Sequence, residues 1–414
     1  MPHGAVSTVV SNLLGVPDVC GLTEGGALVF IDRDEVGNTE TLRLLDLETL
    51  DSKAVALQAR HEAATLQATR ATAFDRARGL LFVIEELGEF VDLGPGVPCA
   101  VKAVRLADGQ VRTLVDDVPD VRALAASPEA LFLMDRSQIL GLEVADVLRC
   151  FQDRREDDDD DRGPNDDDDD DDREDDEASS SEEEEEASSR RVPTRYGLFH
   201  VRSVGREGNF STMVFGPDNA LYVVDTLAER SLCRFDIDTQ RFDVVARVPC
   251  DRSPLWGPDF SSSLAVDSDR NLYYTHMGTE VTSSQWVSVV AVDTLLPHRT
   301  TKATTTRSRA REWKKGGRKK KLPASADVFE AVAQVASPRF FLLDDDRGLL
   351  YVASCRWVQG VQDMICEIVT VAVPSKLDRY FDRVMPLLLT FRAVGHGEAS
   401  LKPRRWTRQS DRRD

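Results

Sequence analysis

One short pattern recurs six times along the chain, and its spacing constrains the fold more tightly than any single motif. The pattern is an apolar stretch, a polar turn built from Asp, Gly, Pro or Asn, and then a Leu-aromatic-Val stretch. It is clearest in STMVFGPDNALYVVDTLAERSLCRFDIDTQRFDVVARV (211–248). Shorter copies stand at LTEGGALVFID (22–32), FDRARGLLFVIE (74–85), AASPEALFLMD (125–135), VDSDRNLYYTH (266–276) and LDDDRGLLYVA (343–353). With Val29, Phe82, Phe132, Tyr222, Tyr273 and Tyr351 taken as equivalent, the intervals are 53, 50, 90, 51 and 78 residues. The two long intervals contain the two low-complexity segments of the chain. Setting aside 153–191 (39 residues) and 296–324 (29 residues) brings them to 51 and 49.

A beat of about 50 residues, with alternating apolar positions and turn residues every 8 to 12, suits four antiparallel strands per unit. A four-stranded sheet cannot bury both of its faces alone, so six such units pack face to face around an axis and close into a ring. Six unrelated hairpins in a sandwich would leave the regular spacing unexplained. The expected fold is therefore all-β, a six-bladed β-propeller over residues 1–395 with two disordered charged insertions, 153–191 and 296–324, and a basic tail at 396–414. Blades are expected near 19–69, 70–120, 121–210, 211–261, 262–336 and 337–395. Both Val6 to Leu14 and Val384 to Val394 are able to supply the strand that closes the ring.

Charge sharpens this division. The 414 residues carry a formal charge of -20, but Asp153 to Glu186 holds 23 Asp and Glu against four Arg, a balance of -19. The body outside that tract is nearly neutral, so the acidity belongs to a tethered segment and not to a folded surface. The acidic insertion follows SQILGLEV (137–144) and precedes YGLFHVRSV (196–204), which places it between the third and outer strands of blade three. The basic insertion follows WVSVVAVDT (286–294) and precedes VFEAVAQV (328–335), the equivalent link in blade five. Successive strands alternate in direction, so both tracts are expected on one face of the ring. Arg299 to Lys321 holds eleven Lys and Arg against one Glu, enough to condense onto the acidic tract or onto a competing polyanion.

The stretch GPDNALYVVDTLAERSLCRFD (216–236) resembles the repeat of NHL and SMP-30/gluconolactonase-like six-bladed propellers, and the resemblance covers most of the chain outside the insertions. LAVDSDRNLYYTHMGT (264–279) is also similar to yellow/royal-jelly-like propellers. The resemblance implies a ring with a central channel, and in the lactonases of that group a divalent metal at one channel mouth. The family pattern places its ligand Asn where this chain has Ser211 and a ligand Asp where it has Ser262, so both ligands are absent. The same register gives Asp18, Arg70, Val121, Ser211, Ser262 and Arg339 at the mouth. Two arginines and one carboxylate repel a dication, so no metal and no cofactor are expected; Arg70 and Arg339 favour a carboxylate or phosphate unless nearby acids occupy them. NHL propellers are often joined to zinc modules, but the seven cysteines here lack CxxC spacing and are expected as small buried residues in a reducing compartment.

Catalytic patterns are sparse: the six histidines show no HxxxH or HxH spacing, and no GxSxG or Walker loop occurs. Lys314, Lys315, Arg318, Lys319, Lys320 and Lys321 form a polyanion-binding or nuclear-import patch, and residues 307–321 are a possible contact for nucleic acid. Ser179 to Ser181, before five glutamates, resemble acidophilic kinase sites. The amino terminus lacks the form of a signal peptide and no run of about 18 apolar residues occurs, which points to an intracellular, cytoplasmic or nuclear protein without a membrane span. The expected function is a non-catalytic platform for a protein partner, with a small-molecule hydrolase of the lactonase or strictosidine-synthase-like type as the alternative.

Overall fold

Each repeat forms one antiparallel sheet, and six sheets surround a common axis. The structure, a computed structural model, describes residues 4–34, 39–59, 62–87, 98–152, 198–203, 210–225, 231–247, 264–276, 285–291, 330–336, 338, 340–358, 363–380 and 382. The innermost strands are Asp18–Leu22, Thr69–Asp75, Ala123–Ala126, Phe210–Gly216, Leu264–Val266 and Phe341–Asp344, in blades one to six. Each touches its two neighbours in cyclic order, and the last touches the first. The chain therefore folds as a six-bladed β-propeller.

The second strands explain why the ring must close. Leu80–Glu86 in blade two and Ala220–Asp225 in blade four are buried along nearly their whole length. Alternate residues of a strand point to opposite faces. Leu81 and Val83 accordingly join the cluster shared with blade one, while Phe82 and Ile84 join the cluster shared with blade three. The same division fills all six seams, one hydrophobic cluster between each pair of adjacent blades. An isolated blade would expose two such faces to water.

The recurring turn has a local cause. The side-chain oxygen of Asp75, Asp267 or Asp344 accepts a backbone N–H two to four residues on, from Arg78 (3.2 Å), Asn271 (2.8 Å) and Arg347 (3.2 Å) respectively. Ser127 and Thr23 do the same for Ala130 (2.9 Å) and Ala27 (3.0 Å). In five of the six blades the turn also carries a left-handed residue, Gly26, Gly79, Asn219, Arg270 or Gly348. At Gly348 (φ 66°) an added Cβ would lie 2.5 Å from the Val373 carbonyl oxygen, whereas at Gly79 (φ 62°) it would meet nothing within 4 Å. Gly79→Ala is expected to cost about 1 kcal/mol, the left-handed penalty alone. Gly348→Ala adds a backbone clash and is expected to cost about 3 kcal/mol, the difference being read from urea midpoints.

Closure is supplied by the amino-terminal strand. Val6–Leu13 pairs antiparallel with Asp363–Ala372 as the outer strand of blade six, with Val6 opposite Val371 and Leu13 opposite Cys366. Residues 384–394, the other strand considered for this place, lie outside the described residues. Blade two is wider than the rest, because Gln58–Ala59 and Glu62–Ala63, on the way from blade one, extend its outer edge.

Residues 153–197 and 292–329 lie outside the described residues, but their anchor points are defined. Gln138–Glu143 pairs with Phe199–Ser203 in blade three, and Gln285–Ala291 pairs with Glu330–Val335 in blade five. Both charged segments therefore leave from the link between third and outer strands, on the face that carries the Asp-capped turns. A helix the repeat pattern does not show, Val144–Gln152, begins the first of these links. It buries Val144, Val147, Cys150 and Phe151. Phe151 lies beneath Arg105 of blade two at 4.9 Å, and Arg112 Nε donates to the Cys150 carbonyl at 3.2 Å.

Candidate functional site: the central channel and its two ends

The six inner strands enclose a cavity of about 320 Å3 to which every blade contributes. Its walls are mainly small or aliphatic, including Val19, Ala71, Ala123, Ala125, Val214 and Ala265, and Arg70 is the only charged residue among the described lining.

The start of the inner strands forms one mouth, and there the charges satisfy one another. Asp18, buried at the head of blade one, pairs with Arg33. Arg33 also donates to the Thr69 carbonyl at 2.6 Å and approaches Glu40 at 3.5 Å, while Glu40 accepts the Thr69 N–H at 2.9 Å. Burial opposes the Arg33 charge, but the Asp18 and Glu40 carboxylates outweigh it and raise its pKa above the ordinary value. Arg70 lies 3.0 Å from Glu86 and 3.7 Å from Asp120. Asp120 is shared with Arg122 at 2.9 Å and with Arg136.

The expected mouth set is thus brought together only in part. Asp18 and Arg70 sit at this end, each engaged by a residue of opposite charge. Val121 does not reach the channel, because it is buried in the cluster between blades two and three while Asp120 and Arg122 flank it. Ser211 lies within the inner strand of blade four, and Ser262 and Arg339 lie outside the described residues. So do Lys314, Lys315, Arg318, Lys319, Lys320 and Lys321. His276 ends the second strand of blade five and is not on an inner strand.

Cys20 lines the cavity, but burial, reinforced by the Asp18 carboxylate, pushes its pKa far up. Burial likewise raises Cys99. Both therefore remain thiols at neutral pH, poor nucleophiles by comparison with a thiolate. Among the described residues no three His, Cys, Asp or Glu are grouped to hold a metal ion.

At the opposite end, the turn between Val373 and the short helix at 376–380 brings Arg379 over blades five and six. Its guanidinium meets Asp269 at 2.7 Å, Asp267 at 3.3 Å and Asp345, and is only 9% exposed. Burial opposes its charge, and the Asp345 and Asp269 hydrogen bonds overcome that and raise its pKa. The sequence has a trace of this clamp in the Asp-rich turns VDSD and LDDD, but nothing in the linear order assigns Arg379 to them.

Comparison with known proteins finds no matching family model and no similar curated sequence. Among solved structures, a streptogramin B lyase is 9% identical with TM-score 0.43, the match covering 89% of this chain and 97% of that one. A virginiamycin B lyase from Staphylococcus aureus is likewise 9% identical with TM-score 0.43, over 89% of this chain and 99% of that one. TolB from Acinetobacter baumannii is 10% identical with TM-score 0.42, over 84% of this chain but only 65% of that one. At such identities and scores a likeness says nothing of chemistry. The six-bladed propeller stands on the strand pairing and the six filled seams of the chain itself.

Proposed function

We propose that the protein is a non-catalytic platform, a rigid ring that presents two oppositely charged segments to a protein partner inside the cell. The observation that carries this reading is the shared root of the two segments. Both are joined to the ring at the third-to-outer link, in blades three and five, so the strands that flank the acidic and the basic segment open on one face. Such segments speed encounter and select against partners of the wrong charge pattern. No described helix is long and apolar enough to cross a membrane. In blades two, five and six an Asp cap is followed by a left-handed Gly or Arg, which supports a relationship to the NHL and SMP-30-like group.

The test compares the full chain with one lacking 153–191 and 296–324. Because the flanking strands stay paired, the deletion is expected to leave the thermal midpoint within about 2 °C, consistent with the small entropic cost of loop length. Recovery of partners at physiological salt is expected to fall at least about tenfold, and the salt dependence of binding to disappear. Equal recovery by the two chains refutes the platform reading. A drop confined to nucleic acid, restored by residues 307–321 alone, would assign the basic arm to polyanions instead.

The cavity favours a second reading, in which a small molecule is bound or hydrolysed in the channel. That reading requires a metal that copurifies in stoichiometric amount or turnover of a lactone by the purified chain.

A further inference from the structure

We propose that Cys355 and Cys366 form a reversible cross-strand disulfide that locks the blade at which the ring closes. The two residues stand directly opposite one another in the hairpin of blade six, in a register unbroken from Leu349–Ala372 to Val358–Asp363. Their sulfurs are 3.3 Å apart and both side chains are buried. Directly opposed residues of an antiparallel pair have Cα separations of about 4.5 to 5.5 Å, inside the range that a disulfide spans. The sulfurs have to close by little more than an ångström for a bond of about 2 Å to form.

The position of the pair gives the bond its consequence. Tyr351, Ala353 and Ile368 belong to the cluster shared with blade one, beside Val19, Leu22, Leu28 and Phe30. Cys355 follows Tyr351 and Ala353 at spacing two, and Cys366 precedes Ile368 by two, so both thiols face that same seam. Leu13, the end of the amino-terminal closing strand, stands opposite Cys366 on its other side. The pair therefore sits where the last blade, the first blade and the closing strand meet. A bond there removes freedom from the hairpin against which the closing strand docks.

The oxidant is a peroxide. One sulfur attacks a peroxide oxygen as thiolate, the O–O bond breaks, and a sulfenic acid and one water form. The second sulfur then displaces the hydroxyl, the S–S bond forms, and the hydroxyl leaves as a second water carrying the second thiol proton. Two thiols are oxidised and one peroxide is reduced to two waters; a small dithiol reverses the change.

The full-length reduced protein is exposed to hydrogen peroxide, remaining thiols are alkylated in denaturant, and the peptides are mapped by mass spectrometry. The expected product is one cross-linked peptide pair, Cys355 to Cys366, lighter by two hydrogens, lost on treatment with dithiothreitol. A rise in thermal midpoint of about 5 °C, also reversed by the dithiol, accompanies it. In Cys366→Ser the cross-link disappears and Cys355 is trapped as sulfenic acid. Full alkylation of both cysteines after saturating peroxide, or Cys355 found joined to other cysteines as often as to Cys366, overturns the proposal. The wild-type map decides the matter even where the variant does not fold.

Discussion

Deleting residues 1–13 is expected to drive association of the chain and to lower its thermal midpoint by about 10 °C or more. Val6–Leu13 contributes a full outer strand to blade six, paired from Val6–Val371 to Leu13–Cys366. Val9, Val10 and Leu13 also pack on the seam between blades six and one. A handful of ladder hydrogen bonds at about 1 kcal/mol each, with three partly buried aliphatic side chains at about 1 kcal/mol each, gives a loss on the order of 5 kcal/mol or more. That is a large share of the stability available to a typical fold. Removing the strand also bares Asp363–Ala372 as a long apolar edge, a template for pairing with a second chain. Size-exclusion chromatography and thermal unfolding read the two effects. A peptide spanning residues 5–14, added in trans, is expected to restore part of the lost midpoint because it refills one specific edge. A truncated chain that elutes like the intact one with an unchanged midpoint would show that this strand does not close the ring.

Arg379→Met is expected to destabilise the protein by about 3 kcal/mol. The guanidinium meets three carboxylates, of which Asp267 is 1% exposed, and it also donates to the Pro374 carbonyl. Removing one member of a buried ionic group leaves the others desolvated and uncompensated, a larger cost than the pair contributed while intact. The double variant Arg379→Met with Asp267→Asn is therefore expected to recover part of the loss, since the most deeply buried orphan charge is gone. Additive losses in the double variant would contradict this account.

Acid unfolding offers an independent readout of the same clamp. Burial pushes the Asp345 carboxyl up, but hydrogen bonds from Ser268 and the Arg379 guanidinium hold it below its ordinary value. A depressed native pKa contributes stability that is present above the unfolded value of about 4 and is lost as pH falls through the native one. Asp267 runs the other way, its pKa raised by burial against the opposing Asn271 and Arg379. Its contribution is present below the unfolded value and is lost as pH rises through the raised one. Without Arg379, Asp345 keeps only the part of its depression that Ser268 supplies, so the variant is expected to lose somewhat less stability than wild type between about pH 4 and pH 2.

The ring was legible in the linear order because its causes are local and periodic. Polar caps at Thr23, Asp75, Ser127, Asp267 and Asp344, and left-handed residues such as Gly79 and Gly348, each solve a turn a few residues long. Alternating apolar residues such as Leu81 and Phe82 then dictate that both faces of every sheet be covered. The helix at Val144–Gln152 was within reach too, since Val144, Val147 and Phe151 follow a helical spacing, but it is masked by its place beside a charged tract.

What occupies the channel ends was decided only in three dimensions. Arg70 reads as a spare anion ligand until Glu86 and Asp120, from the next strand of its own blade and from the approach to blade three, arrive beside it. Val121 falls in the expected mouth register and yet is buried in a seam. Arg379 and Asp267 are separated by 112 positions in the chain and by 3.3 Å in space. The same holds for the closing strand, where two segments are apolar enough to serve and the choice depends on which one the last blade's open edge meets. Periodicity specifies what a residue must bury; Coulombic and edge-pairing partners are set by distances that exist only after the blades have packed.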